Sequence, residues 1–200
     1  MPAYVRKYNM VQDLKDGGTF LLNTSWTVEE LEKELPGQVK KYIADHNINF
    51  YIIDGFKLGK EIGLGGRINT ILQSAFFTLA DIIPVEDAIK YMKDAATASY
   101  SKKGEEVVAM NHKAIEAGSN AFVKVEVPAS WANAEAEDLT NTVTGDRKDL
   151  VKYVNTVQNA INSQTGNDLP VSAFVDYADG SLPSGSAAYE KRGVAVGCCN

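Results

Sequence analysis

The chain has 200 residues, of which 44% are hydrophobic and 23% are charged, and its formal net charge is -6 at pH 7. This length and composition fit one ordinary globular domain, or one domain with an appendage. The acidic balance argues against a nucleic-acid partner, and no apolar run approaches the roughly 20 residues of a membrane-spanning helix, so no membrane partner is expected.

The first part of the chain alternates between helical and strand-like patterns. A helix is predicted over residues 4–16, where two glycines end it, and a short apolar strand follows at Thr19–Asn23. Two helices come next, the first opened by a capping box of Thr27 and Glu30, and they lead to a second apolar strand at Asn49–Ile53. Two buried strands joined by a helical crossover predict an α/β fold with a small, mostly parallel sheet covered by helices.

The stretch after the second strand is the most distinctive part of the sequence. A helical segment at residues 56–62 meets the glycine-rich bend GLGG at residues 63–66, and an amphipathic helix follows. The bend brings Arg67 and Asn69 to the start of that helix, where unpaired backbone N–H groups beside a guanidinium form a natural site for an anionic group. The alternative is that the glycines only let two helices pack closely.

The rest of the chain divides at Trp131. Before it, the patterns predict a helix opened by Pro84, a helix at residues 105–117, and a strand or extended exit segment at residues 121–127. After it, the sequence becomes acidic and polar. A helix at residues 149–163 is followed by a loop-rich tail that is interrupted only by short strand-like pieces such as residues 171–175.

Two short polar stretches contain the candidate functional residues. Asn23, Thr24 and Ser25 follow the first strand directly, at the edge where parallel sheets place their ligand-binding loops. Arg67 and Asn69 form the second stretch, and we expect both stretches at the ligand-facing edge of one sheet.

No pattern in the sequence predicts a catalytic residue or a metal site. His46 and His112 lack any ligand spacing, and neither a nucleophile elbow nor a phosphate-binding loop motif is present. Cys198 and Cys199 are adjacent, which excludes a disulfide framework and provides too few thiols for a four-ligand cluster. The N-terminal residues do not resemble a secretory signal, so we expect a cytoplasmic protein.

Four separated segments resemble pyruvate:ferredoxin (flavodoxin) oxidoreductases, in the order in which that family has them. DLKDGGTFLLNTSW and EIGLGGRINTILQSAFFTLADIIPVEDAI are similar to the γ-type domain, and VPASWANAE is similar to its exit. The tail with Glu190, Lys191 and Arg192 resembles the short EKR segment. We therefore interpret residues 1–131 as the C-terminal part of the γ domain, and residues 132–200 as a linker helix and the EKR segment. The family's glycine-rich start and its later Cys-x-x-Cys region are not found here, so we expect a fragment.

The resemblance implies a function for the complete enzyme. Such enzymes oxidise pyruvate with thiamine diphosphate, transfer acetyl to coenzyme A, and pass electrons through 4Fe–4S clusters to ferredoxin or flavodoxin; the complete enzyme is expected to be a homodimer. The thiamine and cluster sites belong to other domains. We therefore expect that this chain binds no cofactor of its own, contacts other domains of the same enzyme and is inactive alone.

For individual residues, the resemblance implies that Asn23, Thr24, Ser25, Arg67 and Asn69 lie near coenzyme A or a domain interface. One alternative is a free-standing, non-catalytic interaction module with an α/β fold, in which the glycine turn is purely structural. Another is a γ subunit of a related 2-oxoacid oxidoreductase, against which the EKR-like tail argues.

Overall fold

The computed structural model describes residues 2–189, which fall into two compact units. The first unit comprises Met1–Arg6 and Met10–Glu137, and the second comprises Lys7–Asn9 and Asp138–Asn200. The strands are β1 (Thr19–Asn23), β2 (Asn49–Ile53) and β3 (Val123–Lys124). The α-helices are α1 (Pro2–Lys7), α2 (Val28–Glu34), α3 (Gly37–Asp45), α4 (Gly55–Ile62), α5 (Asn69–Ala80), α6 (Val85–Tyr100), α7 (Glu105–Asn120), α8 (Lys148–Tyr153) and α9 (Asn159–Asn162). No helix within residues 2–189 is long and apolar enough to cross a membrane.

The sheet of the first unit has the order β1-β2-β3. β1 and β2 are parallel, with Phe20 opposite Phe50 and Leu22 opposite Ile52, as the helical crossover predicts. β3 pairs with β2 in the antiparallel direction, so the sheet is mixed. Only two residues of the predicted strand at residues 121–127 pair in this way, although the Val125 N–H still donates to the Phe50 carbonyl. The α/β fold class is confirmed.

Two apolar clusters cover opposite faces of this sheet because side chains alternate along a strand. Phe20, Leu22 and Phe50 belong to one cluster, together with residues of α2, α3 and the turn at Trp131. Leu21 and Ile53 belong to the other, with residues of α4, α5 and α7. The helices of the first unit therefore bury both faces of a very small sheet.

Helices α5 and α7 approach each other at their backbones. A Cβ atom on Gly118 would lie 2.3 Å from the Ile71 carbonyl oxygen, a distance that only glycine permits. The buried Ser74 hydroxyl donates to the Ile115 carbonyl at 2.6 Å and ties the two helices together. Farther along, Lys93 of α6 donates to Glu116 of α7, which lowers the pKa of the Glu116 carboxyl. Glycine at position 118 therefore allows the two helix backbones to approach closely.

Two predicted elements are wrong in type or extent. The first helix ends at Lys7 rather than near residue 16. Val11 is buried in the irregular segment that follows. The Tyr42 hydroxyl lies 3.0 Å from the Gln12 carbonyl and 2.9 Å from the Leu14 carbonyl of this segment. The apolar residues here are therefore spaced as in a helix and buried, but they do not form one. The strand-like piece at residues 171–175 lies in the 3-10 helix Val171–Tyr177.

The second unit is organised around one interrupted helix. α8 continues through a π-helical turn, Val154–Gln158, into α9, and Tyr153, Val154 and Val157 form its buried apolar side. Amide side chains on this helix donate to carbonyl groups of the flanking coil at 2.8–2.9 Å, namely Asn155 to Val143, Gln158 to Ser186, Asn159 to Asn141 and Asn162 to Tyr189. Side-chain amides therefore hold coil segments that contain little regular structure of their own.

Candidate functional site

The loop after β1 uses most of its polar groups to hold the fold. The Asn23 side-chain oxygen accepts a hydrogen bond from the Gly55 N–H at 2.9 Å, at the first residue of α4. Thr24 is 4% exposed, its N–H donates to the Ile53 carbonyl, and its hydroxyl accepts from the Trp26 N–H at 3.0 Å. Ser25 is exposed. The loop lies at the carboxyl edge of the parallel pair, as predicted, but Asn23 and Thr24 already have partners there.

The glycine-rich bend folds back onto α4. Gly63 ends α4 in the left-handed conformation with φ 95°, and Gly65 has φ 60°. The Leu64 N–H donates to the Gly59 carbonyl at 2.8 Å, and Leu64 is buried. A Cβ atom on Gly59 would lie 2.7 Å from the Gly65 carbonyl oxygen, so the bend and the helix are in close backbone contact. This rigid turn places Arg67 and Asn69 at its end.

Arg67 and Asn69 line a small cleft of about 120 Å³ between the bend and the ends of α6 and α7. Its other polar lining residues are Tyr100, Lys103 and Asn111, and Leu64, Val107 and Met110 contribute apolar surface. The structure thus brings Arg67 and Asn69 together, whereas Asn23, Thr24 and Ser25 do not line this cleft.

The cleft is positively charged. Arg67 and Lys103 are both exposed, and among residues 2–189 no acidic side chain lines the cleft. Lys103 Nζ lies 5.4 Å from the centre of the Tyr100 ring, a cation–π arrangement that holds the lysine over the tyrosine. Within residues 2–189, the Arg67 guanidinium has neither a hydrogen bond nor an ion pair, so its donors remain available.

The N-terminus of α5 adds backbone donors to the cleft wall. Its N-cap is Ile68, a residue that has no side-chain acceptor for the first-turn N–H groups. Asn69 is the first helical residue, and the Thr70 hydroxyl lies 3.5 Å from the side-chain oxygen of the buried Asn111. A guanidinium, an ammonium and uncapped helix amides together suit an oxyanion such as a phosphate group.

The size of the cleft limits what it can bind. Small-molecule sites usually enclose roughly 300–1,000 Å³, so about 120 Å³ accommodates a phosphate group but not an entire nucleotide cofactor. Lys103 and Tyr100 were not among the sequence-predicted residues. In the sequence, the Lys102-Lys103 pair stands in a polar connection between two helices. This pattern does not indicate that the connection lines the same cleft as Arg67.

The donor groups of the described residues do not fit an iron–sulfur cluster. Within residues 2–189, no group of three or more His, Cys, Asp or Glu side chains could hold a metal ion. The His46 ring nitrogen lies 2.6 Å from Asp16, and His112 lies 2.9 Å from the Thr97 hydroxyl, so both histidines have structural partners. Cys198 and Cys199 lie outside the described residues.

Comparisons with known proteins relate these features to a family. A family model described as pyruvate ferredoxin/flavodoxin oxidoreductase matches residues 1–121, and a model named EKR, a domain of unknown function, matches residues 138–195. The EKR match includes Glu190, Lys191 and Arg192, which lie outside the part of the chain that the structure describes.

Curated relatives align over nearly the entire chain. A pyruvate-flavodoxin oxidoreductase of Enterobacter agglomerans is 45% identical over 97% of the chain, and a pyruvate:ferredoxin oxidoreductase of Moorella thermoacetica is 44% identical over 98%. A pyruvate dehydrogenase [NADP(+)] of Cryptosporidium parvum is 36% identical over 98% of the chain and is covered over 11% of its own length. The chain spans about 16% of the length of the first two relatives. With the family match over residues 1–121, this similarity establishes that the chain belongs to the pyruvate ferredoxin/flavodoxin oxidoreductase family.

Proposed function

We propose that this chain is one part of a pyruvate:ferredoxin (flavodoxin) oxidoreductase, a cytoplasmic homodimer that converts pyruvate to acetyl-coenzyme A and passes electrons to ferredoxin or flavodoxin. The names of the relatives and the 45% identity over 97% of the chain support this proposal. Thiamine diphosphate and 4Fe–4S clusters would be held by other parts of the enzyme, as the family resemblance implies; for the clusters, the described residues offer no suitable metal-binding group. No chemical step is therefore assigned to this chain, which we expect to be inactive alone.

We propose the same domain division that the sequence predicts. Residues 1–131 would form the C-terminal part of the γ-type domain, and residues 132–200 would form the linker helix and EKR segment. The compact first unit, which extends to Glu137, and the start of the EKR match at residue 138 support a boundary in this region. Contacts with other domains of the same enzyme would involve surfaces of both parts.

Within that enzyme, we propose that the cleft beside Arg67 binds a phosphate group of coenzyme A. The observation that carries this proposal is an exposed guanidinium without a described partner, in a cleft that Lys103 also lines and next to the uncapped start of α5. Guanidinium groups bind phosphate through paired N–H donors, and the second cation increases the local positive potential. Coenzyme A carries several phosphates, so a cleft that accommodates one phosphate is sufficient to anchor it.

The five predicted residues receive different roles under this proposal. Arg67 and Asn69 would contact the phosphate directly. Asn23 and Thr24 would hold the loop after β1 in place through the hydrogen bonds to Gly55 and Trp26. Ser25 is the exposed member of that loop and would face coenzyme A or a neighbouring domain.

Arg67→Ala in the full-length enzyme is expected to raise the KM for coenzyme A about tenfold, with kcat and the KM for pyruvate nearly unchanged. The reason is that a charge-assisted hydrogen bond contributes roughly 1.5–3 kcal/mol, part of which is screened at an exposed site. Steady-state kinetics with each substrate varied separately measure this effect.

Lys57→Ala is the matched control, because Lys57 is an exposed cation on α4 that does not line the cleft. Its replacement should leave the KM for coenzyme A unchanged. An Arg67→Ala enzyme with the KM of the wild type would show that the cleft does not bind this substrate.

A further inference from the structure

We propose that the free edge of β1 pairs with an additional β-strand, supplied by the part of the full-length polypeptide that lies outside this chain. The inference rests on the proposed function only in taking the chain as part of a longer polypeptide. β1 is apolar at its centre and buries Phe20 and Leu22, but it occupies an edge of the sheet.

The hydrogen-bond register shows which groups of β1 point toward the open edge. The Gly18 carbonyl accepts from the Asn49 N–H at 2.8 Å, and the Thr24 N–H donates to the Ile53 carbonyl at 2.9 Å. Because alternate residues of a parallel strand bond to the same neighbour, Phe20 and Leu22 also face β2. The N–H and C=O groups of Thr19, Leu21 and Asn23 therefore face away from β2, toward the open edge.

These outward-facing groups have no partner in the part of the chain that the structure describes. Neither a backbone group nor a side chain within residues 2–189 forms a hydrogen bond with the main chain of Thr19, Leu21 or Asn23 at that edge. Leu21 is nevertheless only half-exposed, and Leu22 beside it is 2% exposed. Unpaired main-chain groups in such surroundings are costly, and a further strand would satisfy them.

The side chains of β1 also lack the features that protect natural edge strands. Such strands carry charges, proline or bulges that prevent pairing. The strand TFLLN has none of these features, and both of its faces contact apolar residues. Phe20 and Leu22 belong to one apolar cluster, and Leu21 packs against the other. Apolar runs buried on both faces are typical of strands inside a parallel sheet.

The amount of polypeptide outside the chain supports the choice of occupant. This chain spans about 16% of the length of each of two relatives, so a full-length polypeptide has many further residues that could supply a strand. A three-stranded sheet is small compared with the roughly five or six strands of an average sheet. A second copy that pairs edge to edge is the competing occupant, and the crosslinking experiment distinguishes it from a segment of the same polypeptide.

Residue-resolved hydrogen–deuterium exchange on the full-length polypeptide tests the strand pairing. The Leu22 amide, which bonds to β2, is the internal reference. We expect the Leu21 and Asn23 amides to exchange within about tenfold of the Leu22 rate, because a new neighbour would protect them too. If the Leu21 amide exchanges more than about tenfold faster than the Leu22 amide, the result counts against the proposal. A difference of more than about a hundredfold would overturn it.

A photo-crosslinking residue in place of Thr19 identifies the source of the strand. Thr19 is exposed at the start of β1, so the replacement should be tolerated. Crosslinks to a segment of the same polypeptide outside these 200 residues would support the proposal, whereas crosslinks to β1 of a second copy, or none at all, would overturn it. Pyruvate oxidation measured on the same preparation separates the two proposals: an active enzyme with a rapidly exchanging Leu21 contradicts only this one.

Discussion

Gly118→Ala is expected to destabilise the first unit by about 3 kcal/mol, because a methyl group at this position has no space. Its Cβ atom would lie 2.3 Å from the Ile71 carbonyl oxygen and 2.9 Å from the Ser74 Cβ atom. Helices α5 and α7 cannot simply separate, since the buried hydrogen bond from Ser74 to the Ile115 carbonyl holds them at this distance. Residues of the cleft, Asn69 and Asn111, lie on the same two helices and would shift with them.

Urea unfolding of the 200-residue chain, followed by tryptophan fluorescence, measures this effect. Both tryptophans, Trp26 and Trp131, lie in the first unit, so the signal reports that unit. Gly66→Ala is the matched control, because Gly66 has no atom within 4 Å of its Cβ position and does not have a positive φ. We expect Gly66→Ala to change the free energy of unfolding by less than about 0.5 kcal/mol. Equal effects of the two substitutions would contradict the close helix contact.

Trp131→Ala should reduce the free energy of unfolding of the first unit by about 3–5 kcal/mol, the range for removing a large aromatic side chain from a core. Trp131 is 2% exposed, and its ring centre lies 6.3 Å from that of Phe50 on β2. Its indole N–H donates to the Glu32 carboxylate, so the side chain joins the exit segment to both the sheet and α2. Fluorescence of the remaining Trp26 follows unfolding of the variant.

Trp131→Phe separates the two contributions of this side chain. Phenylalanine keeps most of the buried aromatic surface but cannot donate to Glu32, so we expect it to lose about 1–2 kcal/mol. If Trp131→Ala were no worse than Trp131→Phe, packing against Phe50 would not be the main contribution. The stabilising effect of Trp131 would then come from its hydrogen bond to Glu32 alone.

The sequence was sufficient for elements whose signals are local. The strands at Thr19–Asn23 and Asn49–Ile53 follow from short apolar runs, and the capping box of Thr27 and Glu30 forms as predicted. In these elements, side-chain alternation or a spacing of three residues determines the structure. Helices longer than two turns were likewise recognised from their apolar spacing, including α5 after the glycine-rich bend.

Elements that depend on distant contacts were predicted poorly. Val11 and Leu14 have helical spacing, but the side chain of Tyr42 holds this segment in an irregular conformation. Residues 171–175 have no neighbouring strand in the described part of the chain, and they form part of a 3-10 helix. Lys103 and Arg67 line the same cleft because α7 packs on α5, a contact that no local pattern could indicate.

The two interpretations of the glycine-rich bend do not exclude each other. Gly65 takes part in a close backbone contact, since its carbonyl oxygen lies 2.7 Å from where a Cβ atom on Gly59 would be. Gly63 and Gly65 have positive φ values and shape the bend that leads to Arg67, while Gly66 has open space around it. A turn can therefore be required for packing and also present a cation, and the sequence alone could not separate the two roles.

Calorimetric titration of the full-length enzyme with coenzyme A and with pantetheine tests the phosphate cleft most directly, because pantetheine lacks the phosphates. Arg67→Ala is predicted to weaken coenzyme A binding about tenfold, or about 1.4 kcal/mol, and to leave pantetheine binding unchanged. An equal loss for both ligands, or no loss for either, would show that Arg67 does not contact a phosphate of coenzyme A.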